Sequence, residues 1–148
     1  MHHLLVLKKH LQKEMKNLER TLKETKVARD NSPSAMESAS DMSRSRLEGT
    51  VTMLEHMKRE KESLLNAVPK KNIDSEKIKQ WSVAEIELSN NKMKVVVVPE
   101  GLGGLKISEF QYISDNTLLG AVLIGKKRGD NFSFNDLIGV VVSVNEIL

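Results

Sequence analysis

The chain contains no cysteine, which excludes disulfide bonds and thiolate zinc sites and is compatible with a reducing cytoplasm. Aromatic residues are almost as scarce: one Trp, one Tyr and three Phe in 148 residues, or 3%. Charged residues make up 29%, so the aromatic-rich core of an ordinary globular enzyme is missing and much of the length reads as solvated helix. No apolar run approaches the roughly 18 residues of a membrane span, and no secretory leader is visible. No membrane association and a cytoplasmic location are therefore expected. Enzyme motifs are lacking as well. The turn Gly125-Lys-Lys-Arg-Gly129 does not have P-loop order, and no Gly-x-Ser-x-Gly nucleophile motif occurs. His2, His3, His10 and His56 show no ligand spacing with carboxylates. No catalytic residues and no bound cofactor of its own are expected.

What is present divides at about the middle. The length suits one compact domain, or a small domain with an extended element. The net charge of +3 hides an asymmetry: residues 1–70 carry 14 Lys and Arg against 10 Asp and Glu, and residues 71–148 carry 9 against 10. A basic excess of this size does not by itself make a nucleic-acid binder.

In the first half Leu4, Leu7, Leu11, Met15, Leu18, Leu22 and Thr25 recur every three or four residues, and lysines and glutamates surround them. A narrow stripe on a charged helix is a coiled-coil seam rather than a broad core-facing surface. Leu47, Val51, Leu54, Leu65 and Val68, helped by Met57 and Leu64, repeat the pattern. Lys58 and Lys61 fall on this second seam and weaken it, and Gly49 costs about 1 kcal/mol relative to Ala. Ser32-Pro33 between the stretches reads as an N-cap with proline at the first helical position, with a later start near Asp41 as the alternative. The chain reverses there, so residues 1–69 are expected to form an antiparallel helical hairpin. The segment from Lys8 to Arg29 carries eight basic and three acidic residues, whereas Asp30 to Ser43 carries Asp30, Glu37 and Asp41 and no base. These acids either favour the N-terminus of the second helix through its dipole or offer oxygen ligands to a hard cation.

Pro69-Lys-Lys-Asn ends the second helix, and residues 73–148 read as a separate small sheet domain, with a linker within about Pro69 to Ile78. Residues 81–98 alternate and then run β-branched around an Asn90-Asn91 turn, a β-hairpin pattern. Pro99 to Gly104 is a loop, Phe110 to Ile113 a short strand, and Leu118 to Ile124 a short helix closed by Gly125. Asn131 to Phe134 and Val140 to Ile147 complete an antiparallel sheet with one helix packed on it, making the fold class α+β.

The run Leu118-Leu-Gly-Ala-Val-Leu-Ile-Gly-Lys-Lys-Arg-Gly-Asp130 carries the most information. It resembles the Leu-Gly-x-x-Leu-x-Gly-Lys-Lys-x-Gly-Asp signature in the C-terminal domain of bacterial Gre-type transcription elongation factors (GreA and GreB). The matches are Leu119, Gly120, Leu123, Gly125, Lys126, Lys127, Gly129 and Asp130. Ser114-Asp-Asn-Thr-Leu-Leu-Gly120 resembles the family's Ser-Pro-x-Ser-Pro-Leu-Gly approach with both prolines replaced. The order of hairpin, proline linker and sheet also matches, which implies an FKBP-like second domain. The resemblance implies an accessory factor that binds RNA polymerase through Leu119, Gly120, Gly125, Lys126, Lys127, Gly129 and Asp130. Its hairpin would enter the secondary channel, with only indirect contact to nascent RNA, and a monomer is expected. Tip carboxylates then help hold a catalytic Mg2+ in the polymerase, whose own site cleaves the transcript. Here those would be Glu37 and Asp41, with Asp30 nearby.

The tip departs from the family's Gly-Asp-Leu-x-Glu-Asn-Ala-Glu-Tyr run. Aligning Glu37-Ser-Ala-Ser-Asp41 with its second part keeps Glu37 and Ala39 but places Ser34 at the preceding aspartate. A non-cleaving polymerase regulator of the same fold is thus an alternative, as is a coiled-coil adaptor. A peptidyl-prolyl isomerase is the weakest reading, because Trp81, Phe110, Tyr112, Phe132 and Phe134 must serve both pocket and core.

Overall fold

The computed structural model describes residues 2–32 and 43–145. They form helices α1 (His3–Asp30) and α2 (Ser43–Ala67), then strands β1 (Val83–Leu88), β2 (Asn91–Val98), β3 (Lys106–Ile107) and β4 (Phe110–Ser114). Helix α3 (Leu118–Leu123) and strands β5 (Asn131–Phe134) and β6 (Leu137–Val144) follow. The chain divides into two compact units, one of Met1–Lys9 with Val68–Leu148 and one of His10–Ala67. None of the described helices is long and apolar enough to cross a membrane.

The unit His10–Ala67 is a helical hairpin. Leu22, Val51 and Leu54 form its apolar cluster, with Leu18 packed against them. Ion pairs cross between the helices: Glu14 with Lys61, Glu19 with Lys58 at 3.8 Å and Lys26 with Glu55 at 3.4 Å. Partner numbers fall on one helix as they rise on the other, so the helices run antiparallel. Lys58 and Lys61 therefore do not interrupt the seam; their ammonium groups reach carboxylates of α1, and their stems cover it. Met57 is exposed rather than part of the seam. The expected N-cap at Ser32 is also corrected. Its hydroxyl donates to the Ala28 carbonyl at 2.9 Å and its N–H to that of Arg29 at 3.1 Å, so Ser32 closes α1. Pro33 and the acids Glu37 and Asp41 lie outside the described residues.

In the other unit one six-stranded sheet has the order β3-β4-β2-β1-β6-β5. The α+β class expected from sequence is what the structure has. The sheet is antiparallel except at one ladder, because β2 and β4 pair in parallel. The turn between β1 and β2 is Ser89-Asn90, one residue earlier than Asn90-Asn91. Both residues have positive φ, 51° and 65°, the type I′ geometry that suits the strand twist, and Leu88 faces Asn91 across it.

Each sheet face has its own cover. Ala84, Ile86, Val95, Val97, Phe132 and Val141 pack on one face with Ile78 and with Leu123 of α3. Gly139 leaves room for Phe132 on that face, since a Cβ there would lie 2.3 Å from its Cζ and the ring would have to shift. Val96 and Val98 point the other way, in register with Tyr112 and Ser114, and are fully buried.

The first residues of α1 belong to that second face. The Tyr112 hydroxyl donates to the His3 carbonyl at 2.6 Å, and His3 Nε2–H donates to the Trp81 carbonyl at 3.0 Å. His3 is 3% exposed, and its ring lies 6.0 Å from that of Phe110. Desolvation lowers the His3 pKa below its ordinary 6.5, against the opposing effect of the bond to Trp81. Trp81 itself sits at φ 76°, a left-handed conformation rare for a bulky residue. Its N–H bond to the Val97 carbonyl at 2.6 Å holds it there. The hairpin expected over residues 1–69 thus cedes its opening residues to the sheet unit.

Candidate functional site

The corner from Ser114 to Asp130 starts where β4 ends. Thr117, with φ −83° and ψ 165°, is the N-cap of α3: its hydroxyl oxygen accepts from the Gly120 N–H. The same hydroxyl donates to the Ser114 carbonyl at 2.7 Å. Gly120 lies directly over that carbonyl, and a Cβ there would be 2.1 Å from the Ser114 oxygen. Only glycine permits this approach. Leu123 is fully buried and Leu119 is packed against the same core. Leu118 occupies the first helical position and is 75% exposed.

The turn after α3 is tied down on two sides. Gly125, at φ 85°, donates its N–H to the Ile78 carbonyl, and the Ile78 N–H bonds the Lys126 carbonyl, each at 2.8 Å. Gly129, at φ 89°, donates to the Val141 carbonyl at 2.8 Å, and Val141 donates back to the Asp130 carbonyl at 2.9 Å. The Asp130 carboxylate accepts from the Lys127 N–H at 3.0 Å. An Asx-type bond of this kind closes a turn from within.

The seven sequence-derived binding residues therefore separate by role in the corner. Leu119, Gly120, Gly125, Gly129 and Asp130 shape the backbone. Lys126, half-buried, and Lys127, exposed, are the side chains that the turn carries. Neither enters an ion pair among the described residues. Two exposed apolar residues of the same corner were passed over by sequence reasoning, Leu118 and Ile124, the latter 40% exposed. The signal for Leu118 was available: it stands where the Gre pattern has a proline, at the helix position whose N–H has no intrahelical partner.

Of the acidic set only Asp30 is described. It is the last residue of α1, and its Oδ1 accepts from Arg29 Nε at 3.1 Å. A carboxylate engaged by a guanidinium is a poor first ligand for a hard cation. No group of three or more His, Asp or Glu able to hold a metal ion occurs among the described residues. Four of the five aromatic residues, Trp81, Phe110, Tyr112 and Phe132, are buried in the sheet unit.

Comparison with known proteins adds the following. No family model matches the chain, and no curated protein matches it. Among solved structures the chain is similar to GreA factor homolog 1 (Gfh1) of Thermus thermophilus, with 21% identity, 94% of each chain covered and a TM-score of 0.43. It is likewise similar to Gfh1 of Thermus aquaticus, with 22% identity, 93% of each chain covered and a TM-score of 0.42.

Proposed function

We propose that the protein binds RNA polymerase as an accessory factor of the Gre type and acts through the polymerase's active site. The observation that supports this reading is the corner from Leu118 to Asp130. The residues through which the sequence resembles the Gre signature are those on which this backbone depends, from the Gly120 contact with Ser114 to the Asp130 bond inside the turn. The resemblance thus coincides with a built structure rather than with scattered identities. Lys126 and Lys127 stand on that structure, where two positive charges can meet an acidic surface of the polymerase. The second unit, an antiparallel hairpin, suits a probe that reaches into a channel.

Immobilised core RNA polymerase tests the proposal directly. The chain should be retained, and charge reversal at both lysines (K126E/K127E) should weaken retention about tenfold, as expected for removing two rim charges. Undiminished retention would remove these lysines, and no retention of the wild type would remove the polymerase.

The tip favours a second reading within the same class. Ser34 replaces an aspartate of the family pattern, and Asp30 is engaged by Arg29, so a regulator that occupies the channel without promoting cleavage also fits. Stalled elongation complexes separate the two. A cleavage factor shortens the transcript, and E37A/D41A abolishes this; a channel-occupying regulator slows extension with no shortening. A peptidyl-prolyl isomerase is the weakest reading, since Trp81, Phe110, Tyr112 and Phe132 are buried; a proline-isomerisation assay tests it.

A further inference from the structure

A groove of about 450 Å³ in the sheet unit is lined by His2, Leu4, Leu5, Lys8, Pro69 and Lys70. Nothing in the fold accounts for its composition. Leu4 is buried, but Leu5 is 47% exposed, off the seam positions of α1. Lys8 and Lys70 are exposed, and neither forms an ion pair among the described residues. The flanking sequence supplies no acid: residues 1–13 and 63–73 contain no Asp or Glu, while Lys8, Lys9, Lys70 and Lys71 fall within them. His2 adds a polar edge. Its Nδ1 accepts from the N–H groups of Leu4 at 3.2 Å and Leu5 at 3.4 Å, which leaves the ring proton on Nε2 as a donor.

We propose that this groove binds an acidic segment of a partner protein, with an aliphatic side chain against Leu5 and Pro69 and carboxylates at Lys8 and Lys70. Charge complementarity selects the sign of the occupant. The apolar floor selects its class. Sequence-tolerant nucleic-acid grooves stack bases on aromatic rings or guanidinium planes; the one ring lining this groove, His2, is already stacked on His3 at 5.4 Å. An unpaired cation beside an exposed leucine suits a peptide that carries both groups. Neither Lys126 nor Lys127 lines the groove, so this proposal does not depend on the polymerase reading.

The test uses the full chain and the labelled peptide acetyl-Glu-Asp-Leu-Leu-Glu-Asp-amide, followed by fluorescence anisotropy. Saturable binding is expected. It should weaken about tenfold in K8E/K70E and about threefold in L5Q, with helical circular dichroism unchanged because all three positions are exposed. The Gln-Asn-Leu-Leu-Gln-Asn counterpart should not bind. Three results overturn the proposal: no saturation at millimolar peptide, equal affinity in K8E/K70E, or tighter binding of a single-stranded hexanucleotide than of the peptide.

Discussion

Val95 to Val98 in the sheet unit are buried one after another, at 0% exposure each, whereas the hairpin unit buries a side chain only every third or fourth position. A central strand with both faces covered excludes water along its whole length. A two-helix seam has one narrow dry line, and its flanks are ion pairs half open to solvent. Glu14 and Lys61 keep 31% and 26% of their side-chain surface, and Lys26 and Glu55 more than 40%. The sheet unit is thus held chiefly by apolar burial and close backbone packing, which salt hardly touches. The hairpin relies on a few apolar contacts plus charges that solvent screens. The single tryptophan lies in the sheet unit and most helix in the hairpin, so fluorescence and far-ultraviolet dichroism report the two units separately.

The largest effect that can break this contrast is at Gly120. A methyl group 2.1 Å from the Ser114 oxygen has only backbone to displace, so Gly120→Ala should cost about 3 kcal/mol or more. The loss should be read by Trp81 fluorescence in urea. A change below about 1 kcal/mol would mean that the corner yields where close packing was inferred.

Tyr112→Phe comes next. It removes the hydroxyl bonded to the His3 carbonyl and should cost about 1 kcal/mol, the net contribution of a buried hydrogen bond. The loss belongs to the tryptophan signal, although His3 is a helix residue; a loss confined to the dichroism signal would return the first turns to the hairpin. His3 adds a pH dependence to the same contact. The unfolded chain takes up this proton around 6.5, and the fold does so only at lower pH because burial disfavours the charge. The contribution is present above 6.5 and declines as the solution is acidified below it. His3→Gln should flatten that part of the pH–stability profile.

Gly49 reverses the sign. It is exposed within α2, and a Cβ there meets nothing within 4 Å. Gly49→Ala should therefore stabilise the hairpin by about 0.5–1 kcal/mol, seen as a later dichroism transition. An unmoved transition would locate the hairpin's weakness elsewhere.

The smallest effect is at Glu14. Partial burial pushes its pKa up, but the hydrogen bond and charge of Lys61, with His10, outweigh this and the net shift is downward. Its stabilisation is present above about 4.5 and is lost as pH falls through the lower folded value. Because the pair is well exposed, Glu14→Gln should cost less than about 0.5 kcal/mol and remove part of the salt sensitivity. A salt dependence equal to that of the wild type would show the charge pairs to be idle.

Much of this architecture is legible in the sequence. The three- and four-residue spacing from Leu4 to Leu22, the β-branched run from Met93 to Val98 and the glycines of the corner each reflect one local rule, and each is found in its expected element. What escapes reading is set by distant partners. The two-residue β3 has no periodicity to detect. The parallel pairing of β2 with β4 depends on how the 99–105 loop returns the chain, which no strand pattern encodes. Ser89 enters the turn ahead of Asn91 because the β1–β2 register demands it, against the usual preference of asparagine for positive φ. Lys58 and Lys61 read as seam defects because a sequence does not display the carboxylates opposite. His3 carries no local signal of burial, and only Trp81 and Tyr112, 78 and 109 positions away, reveal its place. The corner is readable because its glycines and Asp130 obey local backbone rules.

The bond between Tyr112 and His3 has a practical corollary for taking the protein apart. Since the sheet unit draws on both Met1–Lys9 and Val68–Leu148, the hairpin is an insertion within it rather than a preceding module. A fragment cut at Pro69 would strand the Tyr112 hydroxyl and uncover Val96 and Val98, inviting aggregation. Joining Lys9 to Val68 through a short glycine-serine bridge keeps the lid on that face, and excising the insert in this way is the route to a soluble, isolated sheet.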